Sequence, residues 1–135
     1  MNRTMRNGAL ILIAAALVGL VASAFVQARA QGQRRHAELM KKKLAHGQKI
    51  LEGIALENFE TIGKNARDLK SLSEDSEWNV FPDMDYVRYS TEFRTICDDL
   101  SSRAKDRNLD GATLCYMQLT MNCVNCHKFV RVRKK

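Results

Sequence analysis

Strand-forming pattern is missing from this sequence. After residue 30, β-branched residues never alternate with polar ones over a strand's length, and no Asn-Gly pair marks a hairpin. A sheet-based fold is thereby excluded. Aromatic residues make up only 7% of the chain and form no stripe with the basic ones, so the formal charge of +7 does not point to nucleic acid. No pair of groups resembles a catalytic dyad, which argues against an enzyme and leaves no catalytic residue to name. Proline occurs once, at Pro82, and no internal repeat or low-complexity block divides the chain. Its 135 residues have room for one domain.

The N-terminus stands apart. Arg3 and Arg6 precede a long apolar run, Ala9 to Val26, and Ala28-Arg29-Ala30 follows as a small-x-small sequence. That order is the order of a secretory signal peptide and its cleavage site. The same run is just long enough to span a bilayer, so an uncleaved anchor is the rival reading. The expected organisation is residues 1–30 as signal peptide or membrane anchor and residues 31–135 as a domain outside the cytoplasm, periplasmic or otherwise exported. Cleavage would remove Arg3, Arg6 and Arg29 and leave a mildly basic domain, whose field can steer an acidic partner.

Four helical segments fit the remainder. Met40, Leu44, Gly47, Leu51 and Ile54 recur at alternating spacings of four and three, which predicts a helix over 34–57 with these residues on its core face. Lys41, Lys42, Lys43, Gln48 and Lys49 fall largely outside that stripe. Phe59, Ile62, Ala66 and Leu69 predict a second helix over 58–73, capped by Asn58. The link over 74–82 carries Trp78, Phe81 and Pro82, which predicts a loop folded against the core. Phe93, Cys97, Leu100 and Ala104 mark a third helix, from an Asp83 cap to about residue 107. Leu109, Ala112, Tyr116, Leu119, Cys123, Cys126 and Val130 mark the fourth, which starts near Asp110 and has the cleanest periodicity. Four amphipathic helices with mostly short links predict an all-α, antiparallel four-helix bundle running up-down-up-down.

The four cysteines are Cys97, Cys115, Cys123 and Cys126. In an exported protein an even count first suggests disulfides. The run Cys123-Val124-Asn125-Cys126-His127 suggests other chemistry. Two thiols three residues apart on a helix can add to the two vinyl groups of one porphyrin, and the adjacent histidine then reaches the iron. Cys123 and Cys126 are thus expected to hold one haem c covalently on the C-terminal helix, with His127 as proximal iron ligand. Zinc would need two further ligands at suitable spacing, and none is present. A thioredoxin-like pair opens a helix after a strand, whereas this pair lies deep in a helix. A disulfide between Cys123 and Cys126 would be awkward inside a regular helix.

A bundle with this motif near its C-terminus resembles the class II c-type cytochromes, the cytochrome c prime family, over about residues 34–131. The resemblance is carried by Cys123 to His127, by Arg131 four residues after the histidine, and by Glu38-Leu39-Met40-Lys41 in the first helix. It departs at Val130, where the family often has an aromatic residue; here Phe129 comes one position earlier. The resemblance implies two branches. In one, a methionine of the first helix completes the iron's coordination and the protein carries single electrons between redox protein partners. In the other, the distal place is apolar and open to NO or CO. Met40, in its Leu-Met-Lys context, is similar to the low-spin, methionine-ligated branch and is the expected distal ligand; a thioether favours ferrous iron.

Alternatives stand beside each of these readings. Met40 also reads as core filler, and His36, one turn earlier, is the rival ligand. His46 reads as a solvated surface histidine, and Met84, Met117 and Met121 as packing or partly exposed residues. Arg34, Arg35 and Arg131 are candidate two-pronged partners for haem propionates, or else solvated basic helix ends. Trp78, Phe81 and Tyr116 read as core or haem-wall residues. Cys97 and Cys115 would either bridge the third and fourth helices or remain free and buried. The resemblance also implies that a homodimer can form, although no apolar stripe is visible outside the intramolecular core. A plain exported bundle is the third functional reading, and it requires the haem motif to be accidental.

Overall fold

The computed structural model describes residues 3–75, 78 and 82–133, with residues 3–16 and 18 described by backbone alone. The described residues form four α-helices and no strand: α1 (Arg3–Ala55), α2 (Phe59–Ser73), α3 (Met84–Lys105) and α4 (Leu109–Arg133). The chain divides into two compact units, Met1–Ala37 and Glu38–Lys135.

The first unit is the N-terminal part of α1. Leu17, Leu20, Val21, Phe25 and Val26 are exposed there, and the helix runs unbroken through Ala30. Among the described residues no helix is long and apolar enough to cross a membrane; the apolar run includes residues 9–16 and 18, given by backbone alone.

In the second unit successive helices run antiparallel, and local sequence accounts for each reversal. The α1–α2 turn places Glu57 at φ 52° and the α3–α4 turn places Arg107 at the same angle. One left-handed residue ends the helix and turns the chain back. An asparagine follows in both turns. The Asn58 side chain accepts from the Thr61 amide at 3.0 Å, and that of Asn108 from the Gly111 amide at 2.8 Å, so each satisfies an orphan donor of the next helix. Asp83 caps α3 in the same manner, accepting from the Asp85 amide at 2.9 Å. The Asn58 and Asp83 caps are those the sequence predicts.

The core runs along the predicted stripes of α2, α3 and α4. Ile62, Ala66, Leu69, Phe93, Cys97, Leu100, Ala104, Ala112 and Leu119 are buried. Trp78 is buried with them, so this part of the link does fold against the core; Phe81 lies outside the described residues. Cross-helix polar pairs fix the register. Lys70 pairs with Asp98 at 2.8 Å and Arg67 donates to the Ser101 hydroxyl at 3.3 Å, joining α2 to α3. The Arg133 guanidinium reaches Asp83 at 2.6 Å, joining the end of α4 to the start of α3.

α1 begins at Arg3, well before the expected start near residue 34, and its core face differs from expectation by one residue. Its buried positions are Leu39, Lys43, Ile50 and Gly53, with Met40 and Ile54 half-buried beside them. Leu44 and Leu51, read from the sequence as core, are 63% and 51% exposed. Lys43, read as lying outside the stripe, is only 9% exposed. His46 is no solvated surface histidine: it is half-buried, with Nδ1 2.8 Å from Asn65 Oδ1. Two adjacent stripes share the same spacing here. The apolar one loses because the other carries Gly53, whose missing side chain lets α1 close on α2. Leu44 and Leu51 thus supply an apolar patch outside the core that the sequence had not revealed.

The glycines of α1 give opposite predictions. A Cβ at Gly53 would lie 2.9 Å from Ile62 Cγ1 and 3.2 Å from the Asn58 carbonyl oxygen, whereas at Gly47 it would meet nothing within 4 Å. Gly47→Ala is expected to stabilise the fold by up to about 1 kcal/mol through helix propensity. Gly53→Ala is expected to destabilise it by about 1–3 kcal/mol through overpacking. Urea unfolding measures both, and shifts of the same sign would refute the close approach at Gly53.

Candidate cofactor attachment site

Cys123, Cys126 and His127 lie on one turn of α4. By the 3.6-residue period they span an arc of about 100°, with Cys123 in the middle. Cys123 and Cys126 are free thiols, half-buried and packed against the core, while His127 is exposed on the flank. The turn is clamped to α3 on both sides. Before it, the buried Asn122 donates from Nδ2 to the Tyr89 carbonyl at 3.2 Å and to Glu92 Oε2 at 3.1 Å. After it, the Phe129 ring packs on Tyr89 with centroids 5.9 Å apart, and the Arg133 guanidinium covers Phe129 at 5.3 Å. Phe129 therefore supplies the aromatic packing at this end of α4.

The inner wall is aromatic. Trp78 and Phe93 meet with ring centroids 5.0 Å apart at a tilt of 37°. The indole N–H donates to Ser90 Oγ at 2.8 Å, the Ser90 hydroxyl donates to the Tyr86 carbonyl at 2.9 Å, and the Tyr86 hydroxyl donates to the Trp78 carbonyl. Every polar handle of the buried rings is thereby used.

The Lys43 ammonium occupies this wall, 4.3 Å from the Trp78 ring centroid and 4.1 Å from that of Phe93. Burial pushes its pKa down, and the neighbouring sulfurs of Cys123, Cys126 and Cys97 oppose that. Sequence reading missed Lys43 because it sits within a run of three lysines, two of them exposed. It also missed Asn122, whose signal is an amide on an otherwise apolar face directly before the first thiol.

The other expected residues separate. Met40, one turn before Lys43 on α1, is half-buried and packed against the core of the second unit. His36, half-exposed, and Arg34 and Arg35, both exposed, belong to the first unit. Arg131 is exposed and donates from Nε to the His127 carbonyl at 3.2 Å, which ties it to the motif turn. Tyr116 is half-buried against the core, whereas Met84, Met117 and Met121 are exposed. Cys97 and Cys115 are both free and buried in different surroundings. Cys97 neighbours Lys43 and Cys123, and burial pushes its thiol up to about 12. Cys115 neighbours Asp99 and Arg103, and burial raises its pKa as well. Burial likewise raises that of Cys126.

This donor set fits a haem c. Two free thiols stand one turn apart, a histidine follows the second, the Met40 thioether lies on α1 packed against the core, and two large rings line the interior. Among the described residues no group of three or more His, Cys, Asp or Glu side chains could hold a metal ion by itself. No protein-family model, curated protein or solved structure matches the chain.

Thiol chemistry tests the placement. At pH 8, a pKa near 12 in place of 9.0 makes the thiolate about 10³-fold scarcer. In the haem-free chain, iodoacetamide is expected to modify the buried Cys97 far more slowly than the half-buried Cys123, read residue by residue by mass spectrometry. Comparable rates would contradict the burial of Cys97.

Proposed function

We propose that this chain is an exported, monohaem c-type cytochrome that carries single electrons between protein partners. The observation that carries the reading is the turn bearing Cys123, Cys126 and His127, with both thiols free, half-buried and clamped against α3 by Asn122 and Phe129. Haem bound there would supply one-electron chemistry at its iron. Cys123 and Cys126 would hold it through two thioethers, and His127 would offer its imidazole as proximal ligand. Met40 would offer its thioether from α1 as the sixth ligand, which favours the ferrous state. Trp78 and Phe93 would keep water from the inner side. Export would be directed by residues 1–30, as a cleaved leader or a retained anchor. The basic balance of the chain would favour an acidic redox partner.

Expression of the full chain with a cytochrome c maturation system tests this. The expected product carries one covalent haem, gives a low-spin ferrous spectrum and resists CO. Met40→Ala should convert it to a high-spin, CO-binding form, and an unchanged spectrum would remove Met40 from the iron. A wild-type chain that is high-spin and binds CO readily would replace the electron carrier by a gas-binding protein. A chain with no covalent haem would overturn both.

A further inference from the structure

Among the described residues, Lys43 is the only charged side chain that is buried. Its ammonium contacts two aromatic faces, at 4.1 and 4.3 Å, and no carboxylate pairs with it. Among the described residues, the ion pairs of the second unit all involve groups with access to water. A cation in the interior is costly to desolvate even with ring and sulfur neighbours, and an apolar side chain of similar size would pack there without that cost. The location adds to the anomaly. Lys43 projects toward Cys123, Cys126 and Cys97, one turn along α1 from Met40.

We propose that Lys43 is an electrostatic positioning residue that raises the reduction potential of the iron at this site. The inference rests on the haem reading above and deepens it. Reduction of a ferric porphyrin lowers its net positive charge by one unit, so a fixed cation nearby favours the reduced state. In an interior of low dielectric that interaction is screened far less than in water. The haem's own carboxylates do not cancel it. Lys43 neighbours Cys123 and Cys126, the residues that would hold the group, whereas the propionates would be free to reach water. The two ring faces hold the ammonium in place without neutralising it, as a carboxylate would. Lys43 and Met40 then act in the same direction, the thioether as a ligand that prefers ferrous iron and the ammonium through space.

The test uses the full chain matured with haem, titrated potentiometrically, with ferric and ferrous spectra recorded alongside. Leucine cannot ligate iron and carries no charge, so Lys43→Leu isolates the electrostatic effect; replacement of a buried charge by an apolar residue should leave the fold intact. Lys43→Leu is expected to shift the reduction equilibrium at least tenfold toward ferric, a fall of about 59 mV for one electron. Its spectra should match wild type. Lys43→Arg keeps the charge and should stay within about twofold of wild type, or about 18 mV by the same constant. A Lys43→Leu potential equal to wild type would overturn the proposal. So would loss of the low-spin bands in Lys43→Leu with their retention in Lys43→Arg, since Lys43 would then govern coordination and not only charge. Absence of covalent haem from the wild-type chain would instead overturn the underlying haem reading, and it is seen before any Lys43 variant is made.

Discussion

The candidate site depends on the burial of one indole. Trp78 comes from the irregular link between α2 and α3, yet it is anchored as firmly as a helical residue. Its N–H donates to Ser90, and its carbonyl accepts from Tyr86, one turn before Ser90 on α3. Ser90 closes the circuit by donating to the Tyr86 carbonyl. A large ring can be buried only if its polar handle is satisfied, and this circuit satisfies it within one turn of α3. The consequence is structural. With the indole on Phe93, α3 and the link form one aromatic wall. Asn122 and Phe129 hold the motif turn against the same helix.

α1 is the element whose position this wall decides. Close backbone packing joins α2 to α3 and α3 to α4, whereas α1 meets the bundle mainly through side chains. At Gly53 a Cβ would already crowd Ile62 and the Asn58 carbonyl. Ten residues earlier the contact is made by the full length of the Lys43 side chain over Trp78 and Phe93. One end of the helix is thus set by a missing side chain and the other by a long one. The end with the long side chain is where Met40 stands and where the thiols of α4 face inward.

The parts that the sequence reveals and the parts it hides follow from this asymmetry. The stripes of α2, α3 and α4 are legible because their inner residues are apolar and their outer residues polar, so periodicity and burial coincide. The Asn58 and Asp83 caps are legible because their side chains act locally. α1 is misread because it inverts the rule. Its inner face carries Lys43 and His46, each satisfied by a partner distant in sequence, and its outer face carries Leu44 and Leu51. Periodicity finds a stripe of the right spacing and assigns it to the wrong side by one residue. Nothing within α1 reports that Trp78 and Phe93 await a cation or that Asn65 awaits an imidazole. The motif itself is legible as chemistry at Cys123, Cys126 and His127, but Asn122 and Tyr89, which hold it, become visible only when α3 is laid against α4.

The exposure of the motif bears on why attachment would be covalent. Cys123 and Cys126 are half-buried and His127 is exposed, so the site lies at the flank of the bundle and not at its centre. A chain of this size has little interior to spare, and enclosing a flat cofactor on every side would consume most of it. Two bonds to one turn of helix remove the need for enclosure, provided the turn itself cannot move. The pins to α3 supply that rigidity. Asp83 extends it to the helix ends, since one of its oxygens caps α3 while the other pairs with Arg133 at the end of α4. The proposed electron carrier would need such a mount, because a cofactor held there would lie near the surface for partners to approach while the rigid turn kept its surroundings constant.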